Sequence, residues 1–216
     1  MTIDVPTSLG PGRLTVSPAA QPRALVWLGH GAGGGIGAVD LAALASRLPD
    51  LGFTVARYEQ PWRVAGKKIA PRPATLDVAW RETAPAVAEF ASGLPIVVGG
   101  RSAGARVACR TANDLEAAAV LCLAFPLHPP GRPEVSRLEE LLLPTVPVLV
   151  LQGDRDTFGT ASDIEREVGG ERTIRVVPVA GADHGMKILK SSALTASDVA
   201  ALVTASVADF VDGVIG

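Results

Sequence analysis

The feature that most constrains this chain of 216 residues is a five-residue turn, Gly100-Arg101-Ser102-Ala103-Gly104. An apolar, β-branched run precedes it at residues 94–99, and a stretch typical of a helix follows at 105–110. A G-x-S-x-G sequence between a strand and a helix is the context that a nucleophile elbow requires. Such a turn strains the serine backbone and lifts its hydroxyl above the sheet edge, and glycines on either side avoid collisions. The turn therefore predicts an accessible, nucleophilic Ser102.

Strands and helices are predicted to alternate along the chain. The strands lie at residues 13–16, 23–28, 53–57, 94–99, 117–125, 146–152 and 173–179. The helices lie at residues 38–48, 76–91, 105–110 and 162–168, with a last one from Thr195. Pro85 inside the second helix predicts a kink or a break. The pattern is typical of an α/β fold in one domain (residues 1–216), with a mostly parallel, doubly wound sheet and helices on both faces.

Composition and charge exclude several classes of function. Charged residues make up 19% of the chain and the formal net charge is −2, so nothing favours nucleic acid or an anionic membrane as a partner. The longest apolar run, residues 117–125, is too short to span a bilayer. The first residues lack the basic and apolar segments of a signal peptide. We therefore expect a cytoplasmic protein without membrane insertion, whose Cys109 and Cys122 are reduced core residues.

Partners for Ser102 follow it in the order Ser, Asp, His, which is typical of doubly wound hydrolases. His184 follows the last predicted strand and is the candidate base for the serine proton. Asp154 and Asp156 both follow the strand at 146–152. Asp156 is favoured as the acid that orients His184, because it can reach across the sheet edge while Asp154 can cap the turn. Asp154 stays the alternative.

The glycine loop at residues 29–37 is the candidate second half of an oxyanion hole. Backbone N–H groups hold the oxyanion in acyl transfer, and the predicted donors are those of Ala103 and Ala32. A dinucleotide-binding loop is the competing interpretation. Its G-x-G-x-x-G pattern is incompletely matched, because the run from Gly33 ends in Ala38, and no clear acidic residue follows at the ribose position.

The remaining polar candidates are less constrained. His30 is a candidate pocket residue that we expect to hydrogen-bond within the glycine loop. His128, in the proline-rich segment 126–145, either lines the pocket or packs against the prolines. No metal site or cofactor is predicted, because the histidines lack carboxylate or cysteine partners at ligand spacing. The basic loop at residues 63–72 is either a solvated face or a contact for an anionic group.

Five sequence strings together resemble a known family. They lie at residues 30–33, 99–106, 125–131, 152–159 and 182–184. With them the chain resembles small α/β-hydrolase-fold predicted hydrolases related to dienelactone hydrolases, which include the testis-expressed hydrolase-like proteins and a subunit of a histone-acetyltransferase complex. The resemblance implies an α/β-hydrolase fold with Ser102 as nucleophile, Asp156 as acid and His184 as base.

The residues and the resemblance together predict a serine hydrolase that cleaves a small ester, thioester or related acyl bond through an acyl-serine. Two alternatives stay open. One is a non-catalytic interaction domain that keeps the fold, and the other is an acyltransferase with the same triad. The segment 126–145 is too short for a large cap domain, so we expect an open site that prefers short acyl groups.

Overall fold

The computed structural model describes residues 1–171 and 173–216. Strands and helices alternate along these residues, and the eight strands form one sheet. The strands are β1 (Thr2–Val5), β2 (Gly12–Ser17), β3 (Ala24–Gly29), β4 (Phe53–Glu59), β5 (Ile96–Arg101), β6 (Ala119–Leu123), β7 (Val148–Gly153) and β8 (Ile174–Val179). The helices are α1 (Val39–Arg47), α2 (Pro61–Val64), α3 (Pro73–Ala91), α4 (Ala103–Thr111), α5 (Leu138–Leu141), α6 (Ala161–Val168) and α7 (Ala196–Ile215), with a 3-10 turn at Pro49–Leu51.

The order of the strands places a crevice at the middle of the sheet. The spatial order is β1-β2-β4-β3-β5-β6-β7-β8. Strands β3 to β8 pair in parallel, whereas β1 with β2 and β2 with β4 are antiparallel. The chain adds β4 on one side of β3 and then returns to place β5 on the other. Loops that leave the carboxyl ends of β3 and β5 therefore diverge, and ligands bind at such switch points.

Apolar side chains fill both faces of the central strands, and every residue of β3, β6 and β7 is buried. One face packs on α3, α4, α5 and α6, and it holds Trp27 and Trp80, whose rings stack at 3.7 Å. The other face packs on α1 and α7 through aliphatic residues such as Leu44 and Val203. The predicted fold class is thus confirmed: a mostly parallel sheet with helices on both faces, and only α5 between β6 and β7 in place of a cap domain.

Several elements differ from the sequence prediction. Strand β1 was not predicted; it has four residues, three of them at least partly exposed, and its register comes from pairing with β2 rather than from burial. Helix α3 runs unbroken through Pro85, which is exposed, so the carbonyl that loses its N–H partner lies on the solvent side. Helices α2 and α5 lie at positions where no helix was predicted. Among the described residues, no helix is long and apolar enough to cross a membrane.

Candidate active site

Ser102 lies on a strained turn between β5 and α4. Its backbone has φ 52° and ψ −110°, in a region that non-glycine residues rarely adopt. The flanking glycines are required by close packing rather than by flexibility. A Cβ on Gly100 would lie 2.5 Å from the carbonyl oxygen of Gly29, and one on Gly104 would lie 2.5 Å from the same peptide group. The elbow is therefore pressed against the end of β3, next to the glycine loop.

The structure brings Ser102, His184 and Asp156 within hydrogen-bonding distance of one another. His184 Nε2 lies 3.0 Å from Ser102 Oγ, and His184 Nδ1 lies 2.7 Å from Asp156 Oδ2. The Asp156 side chain is fully buried, whereas that of His184 is 22% exposed. With the proton on Nδ1, Nε2 can accept the serine proton while the carboxylate fixes the ring. The three residues come from the ends of β5, β7 and β8, which meet at one edge of the sheet.

Gln152, the next-to-last residue of β7, holds the buried carboxylate. Its Nε2 donates to Asp156 Oδ2 at 2.9 Å and to the carbonyl oxygens of Phe125 and Gly159 at 3.1 and 2.6 Å. The backbone N–H of Phe158 donates to the other oxygen, Asp156 Oδ1, at 2.8 Å. The sequence analysis did not single out Gln152. The available signal was a polar residue at the end of an otherwise apolar strand, Val-Leu-Val-Leu-Gln-Gly.

Asp154 lies apart from His184 and stabilises a turn. It is exposed, and its Oδ1 accepts from the backbone N–H of Gly181 at 2.8 Å. The two loops are closely packed here, since a Cβ on Gly153 would lie 2.2 Å from the carbonyl oxygen of Ala182. Asp154 therefore ties the loop after β7 to the loop that carries His184.

Arg101, inside the elbow, links three parts of the site. Its Nη1 donates to Asp40 Oδ2 at 3.1 Å, and its Nη2 donates to the carbonyl oxygen of His184. The Asp40 side chain is fully buried near the start of α1, and burial raises its pKa while the Arg101 guanidinium opposes that rise. The ring of His184 itself contacts the ring of Phe158 edge-on, with the two ring centroids 4.3 Å apart. The sequence analysis assigned no role to Arg101 or Phe158.

The glycine loop lies directly against the elbow. A Cβ on Gly31 would lie 3.4 Å from Ser102 Cβ. Ala32 and Ala103 both line the cleft above Ser102. Within residues 1–171 and 173–216, neither backbone N–H donates to a protein acceptor. Both predicted oxyanion donors are thus residues of the cleft lining whose N–H groups have no acceptor within the described part of the chain.

His30 does not line the cleft above Ser102; it lines a small separate cavity behind the glycine loop, beside Ala32 and Ala103. Its Nδ1 donates to the carbonyl oxygen of Gly31 at 2.8 Å, and its Nε2 accepts from the backbone N–H of Gln60 at 3.1 Å. Because Nε2 accepts, the ring proton lies on Nδ1, and burial lowers the pKa of His30, which favours the neutral ring. It braces the loop from within, as its expected hydrogen-bonding role required.

His128 also lies outside the cleft, because its ring turns into the proline-rich segment. Its Nδ1 donates to the carbonyl oxygen of Val135 at 3.0 Å, and its Nε2 lies 3.9 Å from Glu167 Oε1. Of the two interpretations left open, packing within the segment is the one that the structure shows. No side chain of the basic loop at residues 63–72 lines the cleft either.

The cleft above Ser102 has a volume of about 710 Å³. Its floor is the elbow and the glycine loop, and Phe158 and His184 form one wall. Pro126 and Pro130 contribute to the rim. A site of this size accepts a small-molecule substrate.

Comparison with known proteins connects this geometry to one fold. The profile of a family described as an alpha/beta hydrolase domain matches residues 22–212. An alpha-beta serine hydrolase homologue from Coxiella burnetii superposes with a TM-score of 0.76 at 16% identity, covering 95% of this chain and 96% of its own. A serine hydrolase without lid from Xanthomonas campestris superposes with a TM-score of 0.77 at 19% identity, and the match covers 97% of this chain and 94% of the other. Est1E from Butyrivibrio proteoclasticus superposes with a TM-score of 0.75 at 14% identity, and the match covers 99% of this chain and 98% of the other.

Proposed function

Because the chain belongs to the alpha/beta hydrolase family, whose profile spans residues 22–212, we propose that it is a serine hydrolase acting on a small ester, thioester or related acyl bond. Family and fold support a hydrolase in general. The finer proposal, an acyl-serine intermediate on Ser102, rests on one observation. A strained serine, a histidine at 3.0 Å and a buried carboxylate at 2.7 Å from that histidine lie at the switch point of the sheet.

The proposed reaction uses these groups in two steps. Ser102 Oγ attacks the acyl carbon while His184 Nε2 takes the hydroxyl proton, and the N–H groups of Ala103 and Ala32 stabilise the oxyanion. His184 then gives its proton to the leaving alcohol or thiol, which leaves an acyl-serine. In the second step His184 activates water, which releases the acid and restores Ser102.

Two features favour an enzyme over a non-catalytic domain that merely keeps the fold. A strained φ/ψ pair costs about 1–3 kcal/mol, and a scaffold has no use for it. The Asp156 carboxylate is also buried with its oxygens bonded to His184, Gln152 and the Phe158 amide, an arrangement that serves to orient the imidazole. An acyltransferase would share this chemistry, so the acceptor must be determined by experiment.

A panel of p-nitrophenyl esters and matching thioesters, from acetyl to dodecanoyl, tests the proposal. We expect turnover that is highest for short acyl groups, because no cap domain encloses a long chain. Ser102→Ala should lower kcat by about 10³-fold or more. The control is Ser191→Ala, an exposed serine, which should match the wild type. Product analysis with added alcohol or amine separates water from another acceptor. Equal turnover by Ser102→Ala and the wild type would contradict the proposal.

A further inference from the structure

The cleft carries an excess of positive charge although the chain as a whole has a net charge of −2. Among the described residues that line it are four cationic side chains, Arg101, Arg106, Arg137 and Lys187, and no carboxylate. Two of the four are neutralised from outside the cleft. Arg101 pairs with the buried Asp40, and Arg106 pairs with Glu140. The charges of Arg137 and Lys187 have no such partner in the described part of the chain.

The neighbouring arginines show how carboxylates fit this cluster. Arg106 donates to Glu140 through Nε and Nη2 at 2.7 and 2.5 Å. Arg110 donates to Asp77 through the same two atoms at 2.8 and 2.7 Å. In both, the Nε–Nη2 edge of the guanidinium holds the two oxygens of one carboxylate, which is the strongest geometry for an arginine.

In Arg137 the corresponding edge has no protein partner. Its Nη1 donates to the carbonyl oxygens of Pro126 and His128 at 3.1 and 3.2 Å. These two bonds fix the side chain at the rim. A guanidinium has five N–H donors, and within residues 1–171 and 173–216 no acceptor contacts Nε or Nη2. A half-buried arginine is thus held in place with its bidentate edge free.

The surroundings of Arg137 favour an anion as the missing partner. Burial lowers its pKa, and Arg106, Arg132 and Arg110 lower it further while Glu140 opposes them. Arg106 and Arg110 are paired with Glu140 and Asp77, whereas Arg132 and Arg137 form no ion pair within the described residues, so an excess of positive charge remains beside the guanidinium. Lys187, three residues after His184, adds an exposed cation to the same cleft. An anionic group of a ligand would satisfy the free donors and balance this charge.

We propose that the substrate carries a carboxylate or phosphate group, that Arg137 binds this group through its Nε–Nη2 edge, and that Lys187 assists. This inference rests on the serine hydrolase function proposed above. The acyl bond and the anionic group are then parts of one small molecule, with the bond at Ser102 and the charge at the rim. Arg137 acts as a specificity-determining residue.

Matched substrate pairs test which part of the substrate carries the charge. For the acyl side, mono-p-nitrophenyl adipate is compared with p-nitrophenyl hexanoate, which has the same number of carbons. For the alcohol side, 4-acetoxybenzoate is compared with 4-acetoxybenzamide. After subtraction of the uncatalysed rate, we expect the charged member of one pair to have a kcat/KM about 10- to 100-fold above its neutral match. The preference should weaken as salt is added.

Variants identify the residue responsible. Arg137→Gln should remove most of this preference. Arg137→Lys should retain part of it, because a lysine keeps the positive charge but cannot form two parallel hydrogen bonds to one carboxylate. Lys187→Gln should reduce it by a smaller factor. The control is Arg175→Gln, which removes an exposed arginine of β8 that does not line the cleft and should leave the preference unchanged. The ratio of two substrates on one sample does not depend on how much of a variant is folded.

Binding measurements separate failure of this inference from failure of the proposed function. Calorimetric titration of the Ser102→Ala protein with adipate and with inorganic phosphate should detect binding of at least one anion, and Arg137→Gln should abolish it. Neutral esters turned over without preference for either charged substrate would overturn the inference and leave the hydrolase intact. If no ester is turned over, anion binding lost in Arg137→Gln still supports the subsite, and absence of binding overturns it.

Discussion

Two polar regions meet at the carboxyl edge of the sheet, and they differ in how completely their groups are bonded. The reactive centre consists of Ser102, His184, Asp156 and Gln152. There, both oxygens of the buried carboxylate and both ring nitrogens of the histidine have partners. The cationic rim consists of Arg106, Arg137 and Lys187, which line the cleft. In the rim, as far as the described residues extend, one arginine keeps a free bidentate edge and one lysine has no ion pair.

The difference indicates what each region does. In the reactive centre both carboxylate oxygens and both imidazole nitrogens are bonded to the protein, so the geometry of these two groups is fixed before a ligand arrives, which suits a reaction that requires accurate placement. A site that leaves donors free has its bonding completed by a ligand. Substitutions in the reactive centre should therefore act mainly on kcat, whereas those in the rim should act on the choice of substrate.

The largest contrast is expected between the two aspartates. Asp156→Asn should lower kcat by about 10³- to 10⁴-fold, because an amide favours the wrong histidine tautomer. Asp154→Asn is the matched control and should have a much smaller effect, since Asp154 only accepts from Gly181. Steady-state kinetics on one short ester measures both. The reverse order of effects would move the acid to Asp154.

A smaller loss is expected at Gln152, which touches no substrate and acts by positioning Asp156. Gln152→Met should lower kcat by about 10- to 100-fold with little change in KM, because the carboxylate loses a hydrogen bond. Thr83→Val is the control, since Thr83 is also buried and donates to a carbonyl, that of Ala79 within α3, and does not line the cleft. It should cost stability without a comparable loss of kcat. Equal effects on kcat would assign Gln152 a purely structural role.

A still smaller loss of kcat is expected at Arg101, which acts by positioning the loop that carries His184. Arg101→Lys keeps a positive charge opposite Asp40 but cannot bond both Asp40 and the His184 carbonyl. We expect kcat to fall by about tenfold, the effect of one hydrogen bond of about 1.4 kcal/mol. Arg81→Lys, in an exposed pair with Asp114, is the control and should be neutral. An unchanged kcat in Arg101→Lys would place the anchoring of the His184 loop elsewhere.

The smallest effect, on stability rather than on kcat, is expected at His30. Both of its ring nitrogens have hydrogen-bond partners behind the glycine loop. Burial holds its pKa below the ordinary value of 6.5. Its contribution to stability is therefore fully present above about pH 6.5 and is lost as the pH falls through the lowered pKa of the folded state. Urea unfolding between pH 8 and 5 should show this decline, and His30→Asn should show less of it. An identical pH dependence in both proteins would contradict the assignment.

The sequence predicted those features that depend on local spacing. The elbow was predicted because its G-x-S-x-G string lies within five consecutive residues, although the two glycines are required by contact with the distant Gly29. The chain order of serine, aspartate and histidine follows from the parallel sheet, which brings their loops to one edge. The structure places these three side chains in contact, and their roles in catalysis stay a prediction.

The sequence could not predict groups whose partners are distant in the chain. Arg101 bonds to Asp40, 61 residues earlier, and to His184, 83 residues later. The free edge of Arg137 is visible only once every nearby carboxylate has been placed. His30 and His128 each follow a strand that ends near the site, yet both rings turn to backbone carbonyls instead. A side-chain rotamer of this kind depends on packing that no spacing encodes.

The most direct test of the central claim, that Ser102 is the nucleophile of the reactive centre, is covalent labelling followed by intact-mass spectrometry. A fluorophosphonate should add one phosphonyl group per chain, and peptide mapping should place it on Ser102. Labelling should be lost in Ser102→Ala, slowed in Asp156→Asn, and unchanged in the rim variant Arg137→Gln. A wild-type protein that takes up no label, or an adduct that persists in Ser102→Ala, would contradict the account.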